Sequence, residues 1–138
     1  MMEKQIESKR SSRLTVVRKV LFYGAIPCLI FLLIAFVMIC WSIRTSVKEM
    51  SAEAVREYPG DRIEALISYV DSDNHSLRQR NRAVWALGQI GDKRALPMLE
   101  KYYTGGPCDH QNALCRRELS KASEACNGAF NATAWLPR

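Results

Sequence analysis

The fold of this chain is best predicted from one stretch of its sequence, Arg82-Ala-Val-Trp-Ala-Leu-Gly-Gln-Ile-Gly-Asp92-Lys-Arg-Ala-Leu-Pro-Met-Leu99. It contains two apolar segments, separated by Gly91 and Asp92, a residue pair that typically ends one helix and caps the next. At 100° per residue, the apolar positions of a helix over 76–90 occupy one half of its surface. These positions are Leu77, Ala83, Val84, Ala86, Leu87 and Ile90. A second helix over 93–103 would bury Ala95, Leu96, Met98, Leu99 and Tyr102.

Related patterns flank this stretch. Asp61-Arg-Ile-Glu-Ala-Leu-Ile67 has the same arrangement of a capping Asp and an apolar stripe, about 32 residues earlier, and such internal periods indicate stacked helical pairs. A last helix is predicted from about Gln111 to Cys126, closed by Asn127 and Gly128. The soluble part of the chain is therefore predicted to be all-α.

The central stretch resembles the HEAT repeat, in particular the short form named after phycobilisome lyases. That form pairs a helix ending A-L-G-x-I-G-D with a helix containing A-x-P-x-L, and both motifs are present between Ala86 and Leu99. The resemblance is best over 76–103, with weaker half-repeats at 61–71 and 111–126. It implies a small helical-repeat domain that offers a binding surface and no reaction of its own.

An uncharged run of 24 residues, Val20 to Ile43, precedes this domain. At about 1.5 Å per residue, a helix of this length crosses the roughly 30 Å hydrocarbon layer of a membrane. The run is longer than the apolar core of a secretory signal and lacks a small-residue cleavage site. The sequence therefore predicts a single-pass signal anchor that is retained in the lipid bilayer.

The charges on either side of the run predict its orientation. Six cations precede it, Lys4, Lys9, Arg10, Arg13, Arg18 and Lys19, whereas only Arg44, Lys48 and Arg56 follow it closely. Because cationic flanks stay in the cytoplasm, we expect the N-terminus inside and the C-terminal domain outside, in the periplasm of a bacterial inner membrane. The formal net charge of +6 is then explained by topology and lipid contact, with no nucleic-acid partner.

The predicted domain organisation follows from these boundaries. Residues 1–19 form a basic cytoplasmic N-terminus, 20–43 the transmembrane helix, 44–60 a helical stalk or linker, 61–128 the HEAT-like domain and 129–138 a C-terminal tail. The transmembrane helix is predicted to continue into the stalk because no helix breaker occurs before Pro59.

Three cysteines, Cys108, Cys115 and Cys126, form the one chemically suggestive group of the C-terminal part. Cys115 and Cys126 lie about 16 Å apart on one predicted helix, too far for a disulfide, so Cys108 would be a partner in any bridge. The favoured pair is Cys108–Cys115, with Cys108–Cys126 behind it. The alternatives are unpaired thiols and a metal site that includes His110, although the spacing matches no zinc module.

Four residues of the helix over 76–90 are candidates for an interaction surface: Arg78, Arg82, Trp85 and Gln89. They lie opposite the apolar half of the helix, and an exposed Trp flanked by Arg is typical of interface anchors. Alternatively, Trp85 covers a neighbouring helix or loop. Arg116, Arg117 and Lys121 are interpreted as a solvated face.

The sequence contains no Gly-rich phosphate loop, no H-E-x-x-H and no C-x-x-C, so no catalytic, metal or cofactor site is predicted. The first hypothesis is a non-enzymatic, membrane-anchored repeat protein that binds or scaffolds an unidentified protein, as an accessory of a membrane complex. One alternative is a Cys/His-dependent protein that handles a metal or cofactor, or a lyase-like enzyme. Another is the same helical module facing the cytoplasm, with the membrane span reversed.

Overall fold

A computed structural model describes residues 15–106 and 112–129, and all regular secondary structure in these ranges is helical. The predicted all-α fold class is therefore confirmed, with one long apolar helix followed by shorter ones. Three parts of the chain lie outside the described residues: most of the predicted N-terminus, the loop with Cys108 and His110, and the tail after Ala129.

The first helix is continuous from Thr15 to Glu57. It contains a π-helical turn, Leu21–Ala25, and then the α-helix Ile26–Glu57, here α1. Ile26 separates the π turn from Pro27. The proline lacks an N–H and its ring crowds the carbonyl four residues earlier, in the π turn, and a wider turn relieves that conflict. The predicted continuation of the apolar helix into residues 44–57 is thus observed.

Among the described residues, one helix is long and apolar enough to cross a membrane, and it is this one. Signal sequences and the core helices of soluble proteins have the same length and composition. Every large apolar side chain from Val20 to Ile34 is exposed. The chain divides into two compact units, one ending at Trp41 and one beginning at Ser42.

In the second unit, α2 (Arg62–Asp71) and α3 (Leu77–Ile90) begin with reciprocal caps. The Asp61 carboxylate accepts the backbone N–H groups of Ile63 and Glu64 at 2.9 Å, and the Glu64 side chain accepts the N–H of Asp61. Ser76 and Gln79 form the equivalent box at the start of α3. Because these bonds satisfy donors that a helix start leaves unpaired, they define where both helices begin.

The second half of the unit begins at Gly91, which ends α3 in the left-handed conformation at φ 68°. Such a backbone angle favours glycine, as the Gly-Asp pair predicts. Asp92 then caps a 3₁₀ turn, Lys93–Ala95, which leads into α4 (Leu96–Tyr102). The last helix, α5, spans Arg116–Cys126.

The observed α5 is shorter than predicted. Residues 112–115 are not helical, and Leu114 is buried outside the helix. The N–H of Cys115 donates to the Asn81 side chain on α3 at 2.8 Å, so a tertiary hydrogen bond takes the place of a helical one. The predicted start at Gln111 lies outside the described residues.

The core confirms the predicted apolar face of α3. Ala83, Val84, Ala86, Leu87 and Ile90 are buried there, with Leu77 partly buried at the edge. Residues of α2, α4 and α5 complete the cluster: Ile63, Ala65, Leu66, Tyr69, Val70, Met98, Leu99, Leu119, Ala122 and Cys126.

Residues 44–57 are helical, as predicted for a stalk, but they do not stand apart from the domain. Met50 and Ala54 of α1 are fully buried in the core, and the second unit starts at Ser42. The sequence boundary at Pro59 and Gly60 marks a turn between two packed helices, because the three- and four-residue spacing of Val47, Met50 and Ala54 faces the domain.

Candidate functional site: the outer ridge of α3

The interaction-surface candidates form a single ridge along α3. Arg78, Arg82, Trp85 and Gln89 follow one another at steps of four, three and four residues, which places them on one helix face. Arg78 and Arg82 are exposed, while Trp85 and Gln89 are partly buried. The sequence-derived position of this ridge, opposite the buried face, agrees with the burial pattern.

Contacts at the ridge involve the end of the first helix. A terminal nitrogen of Arg82 lies 3.5 Å from a carboxylate oxygen of Glu49 on α1, and both side chains are largely exposed. Such an exposed pair contributes little to stability. The Trp85 ring packs against the hydrophobic core. This contact agrees with the alternative that Trp85 covers neighbouring structure, so the ridge presents the arginines more than the indole.

Arg94 connects Asp61 and Asp92, the capping aspartates of the two similar sequence patterns. Arg94 donates to Asp61 at 2.6 Å and to Asp92 at 3.1 Å, so one guanidinium contacts the caps of both helical pairs. The backbone N–H of Glu64 and then Arg94 lower the pKa of the Asp61 carboxyl below its usual range. Hydrogen bonds from the Arg94 side chain and backbone lower the pKa of Asp92.

Arg80 is a buried cation of the domain. Its Nε donates to the Val70 carbonyl at 2.7 Å, and Nη1 donates to Asp73 at 2.8 Å. The guanidinium also lies 5.6 Å from the centre of the Tyr102 ring. Because Val70 lies in the last turn of α2, Arg80 satisfies a carbonyl that the helix end leaves without an internal partner. Arg80 therefore holds α2, α3 and α4 together.

A polar link between α2 and α4 lies beside Arg80. The Asp71 carboxylate accepts from Lys101 Nζ and from the Tyr102 hydroxyl, both at 2.8 Å. Partial burial raises the pKa of Asp71, but the hydrogen bonds from Lys101 and Tyr102 outweigh burial, so its pKa is lowered. The carboxylate thus remains ionised where it joins the two helices.

His75 packs in an aromatic cluster. Its ring stacks on Tyr69 with centroids 3.6 Å apart and planes inclined by 8°. His75 Nε2 lies 3.1 Å from both Glu57 Oε2 and the Tyr58 hydroxyl, and the Tyr69 hydroxyl donates to Glu53 at 2.8 Å. Burial, and then the Glu53 hydrogen bond, raise the pKa of Tyr69. These contacts tie the end of α1 to the domain.

The described cysteines lie in separate environments. Cys126 is buried, its Sγ lies 3.7 Å from the Leu87 carbonyl, and burial raises the pKa of its thiol to about 11. Cys115 is partly buried at the start of α5, and neither thiol is in a disulfide within the described part of the chain. Because Cys108 lies outside that part, the Cys108–Cys115 bridge stays a prediction.

A metal site is not assembled by the residues that the structure describes. Over 15–106 and 112–129, no three His, Cys, Asp or Glu side chains are grouped so that they could hold a metal ion. The predicted alternative depends on Cys108 and His110, which lie outside these ranges.

The sequence did not predict that Arg80 and His75 would each contact residues from several helices. A signal for Arg80 was present, since it precedes Ala83, Val84 and Leu87 by three, four and seven residues and so lies on the apolar face. A cation on such a face needs buried partners. His75 had no comparable signal, because its partners come from α1 and α2.

Comparisons with known proteins agree with this geometry. The family described as PBS lyase HEAT-like repeat matches residues 79–104, which cover most of α3, the turn and α4. Deoxyhypusine hydroxylase from Candida albicans is 34% identical over 56 residues, or 41% of this chain. The chain spans only 18% of the length of that relative. No solved structure matches the chain. The central helical pair is thus similar to a HEAT-like repeat.

Proposed function

We propose that this chain is a non-enzymatic, single-pass membrane protein whose HEAT-like domain binds another protein and acts as an accessory of a membrane complex. The apolar helix over 20–43 would be the anchor, with a cytoplasmic N-terminus and the domain on the opposite side. The uncharged length of this run and the cations before it support that arrangement. A bacterial inner membrane is the proposed location.

One observation carries the proposal of protein binding. The segment matched by the HEAT-like repeat coincides with the pair α3 and α4, and helical repeats of this kind generally act in protein interaction. On α3 the matched segment exposes Arg82, with the partly buried Trp85 and Gln89 on the same face and the exposed Arg78 just before it. Arginine and aromatic residues are enriched at protein interfaces, which supports a partner contact along this ridge.

The hydroxylase similarity supports the repeat architecture and carries no activity to this chain. It covers a small share of that enzyme. Of the two histidines, His75 is stacked on Tyr69 and hydrogen-bonded within the domain, and His110 lies outside the described residues. The metal- or cofactor-handling alternative has no observation in its favour among the described residues.

Site-specific photo-cross-linking tests the proposed interface. A photoreactive amino acid replaces Arg78 in the full-length protein in its own membrane, and the matched control replaces Glu100, an exposed residue of α4. We expect a discrete cross-linked product from position 78, with a single partner identified by mass spectrometry, and little product from position 100.

Competition by unmodified protein strengthens the test. Excess full-length chain should reduce the product, whereas a chain with Arg78→Ala and Arg82→Ala should compete at least tenfold less well. Equal products at both positions, or equal competition by the double variant, would contradict the ridge as the interface.

A further inference from the structure

In the second unit, most carboxylates have partners within the domain, whereas several cations form no salt bridge with a described residue. Most of its carboxylates are engaged in ion pairs or hydrogen bonds within the domain: Glu49, Glu53, Glu57, Asp61, Glu64, Asp71, Asp73, Asp92 and Glu124. By contrast, several cations form no salt bridge with any described residue: Lys48, Arg56, Arg62, Lys93, Arg117 and Lys121. The described surface is therefore suited to anions.

Three cations of α5 line a concavity beside this helix. The concavity has a volume of about 300 Å³ and is lined by Tyr103, Arg116, Arg117, Ser120 and Lys121. The four α5 residues are spaced by one, three and one positions, so they share one face of the helix. Among the residues that the structure describes, three cations and no carboxylate line it, although the Ser120 hydroxyl donates to Glu124 one turn further along, at 3.2 Å.

Two further features of this cation group favour anion binding: a fixed arginine side chain and an uncapped helix start. Arg116 Nη1 donates to the Gly106 carbonyl at 2.9 Å, and its guanidinium lies 5.8 Å from the centre of the Tyr103 ring, so the side chain is held in place. The first turn of α5 begins at Cys115 without a side-chain cap. Backbone N–H groups of an uncapped first turn add to the positive potential at that end of the helix.

We propose that this concavity binds a phosphate group, carried by a phospholipid headgroup or by a soluble phosphate compound. Guanidinium groups match phosphate oxygens in bidentate geometry, and a lysine adds a point charge. A volume of about 300 Å³ is at the small end of ligand sites, which suits a headgroup-sized anion. This site is separate from the ridge on α3 and does not depend on the proposed protein partner.

The test uses the full chain in nonionic detergent, titrated with inorganic phosphate and, separately, with a soluble short-chain phosphatidylglycerol. Calorimetry measures affinity for the unsubstituted chain and for two charge-matched double variants. One variant is Arg117→Gln with Lys121→Gln, and the control is Arg62→Gln with Lys93→Gln, which removes the same charge from exposed positions outside the concavity. Circular dichroism verifies that both variants remain folded.

We expect saturable binding that weakens at least tenfold in the Arg117/Lys121 variant and less than twofold in the control. Binding of both probes with similar affinity indicates the phosphate alone as the determinant, and binding of the lipid at much lower concentration identifies a membrane headgroup. Absence of saturable binding of either probe, or equal weakening in both variants, would overturn the proposal. So would binding of an acidic peptide through these residues without any binding of phosphate.

Discussion

Gly88 of α3 lies against Ala122 of α5 so closely that the two helix backbones are nearly in contact. A Cβ atom built on Gly88 would lie 2.8 Å from the Ala122 Cα and 3.0 Å from its Cβ. Distances this short involve backbone, which cannot move aside as a flexible side chain can. The glycine in the A-L-G motif is therefore explained by close helix packing.

Replacing Gly88 with Ala should destabilise the domain. Alanine favours an exposed helix by roughly 1 kcal/mol over glycine, but overpacking costs about 1–3 kcal/mol, so we expect a net loss. Denaturant titration of the full chain in detergent, followed by circular dichroism, measures it. The matched control is Gly24→Ala, where a Cβ meets no atom within 4 Å. Equal stability of both variants would disprove the close contact.

Leu87 is completely buried at the centre of the helical stack. Truncation to Ala should lower the free energy of unfolding by roughly 2–5 kcal/mol, since it removes buried methyl groups and leaves a cavity. Leu96→Ala, at a partly buried position, should cost clearly less in the same denaturant titration. A Leu87 variant as stable as the Leu96 variant would refute the assigned core face.

Acid should weaken the domain through the carboxylates that Arg94 contacts. The folded-state pKa values of Asp61 and Asp92 are lowered, so both carboxylates contribute stability above the unfolded-state pKa of about 3.9. That contribution is lost as pH falls through the lower, folded-state values. Arg94→Met should reduce the difference in melting temperature between pH 6 and pH 2.5. An unchanged difference would exclude Arg94 as the cause.

The thiol of Cys126 should be protected from alkylation in the folded protein. It is buried, and its pKa of about 11 leaves little thiolate at pH 7.5. Peptide mass spectrometry after brief exposure to iodoacetamide should find Cys126 unmodified without denaturant and modified with it. Rapid native modification of Cys126 would contradict its core position.

The predicted disulfide has a separate readout. Under denaturing, non-reducing conditions, one thiol of Cys108, Cys115 and Cys126 should be free, and that thiol should be Cys126. Among these three positions, Cys108→Ser should leave two free thiols, whereas Cys126→Ser should leave none. Free thiols at all three of these positions in protein isolated without reductant would reject the bridge.

Topology can be read with reporters fused after Arg138. Because six cations precede the apolar run and three follow it, a reporter active only outside the cytoplasm should be active there. Replacing Lys4, Lys9, Arg10 and Arg13 with Gln should lower that activity. A reporter that works only in the cytoplasm, if active at this position, would reverse the assigned orientation.

The approximate positions of the helices and the buried face of α3 could be predicted from the sequence. Local rules carry this information: capping residues such as Asp61 and Ser76 satisfy nearby N–H groups, Gly91 supplies the left-handed turn, and apolar periodicity selects the face. The uncharged run over 20–43 likewise predicts a long apolar helix, because length and composition are local properties.

The contacts between distant residues could not be predicted from the sequence and became evident only from the packed helices. It brought Met50 and Ala54 of the expected stalk into the core, joined Asp61 and Asp92 through Arg94, and surrounded Arg80 with partners from three helices. It also began α5 at Arg116, because Cys115 bonds to Asn81 across 34 residues. Helical periodicity specifies a face but not its neighbour, and these contacts depend on how the helices pack.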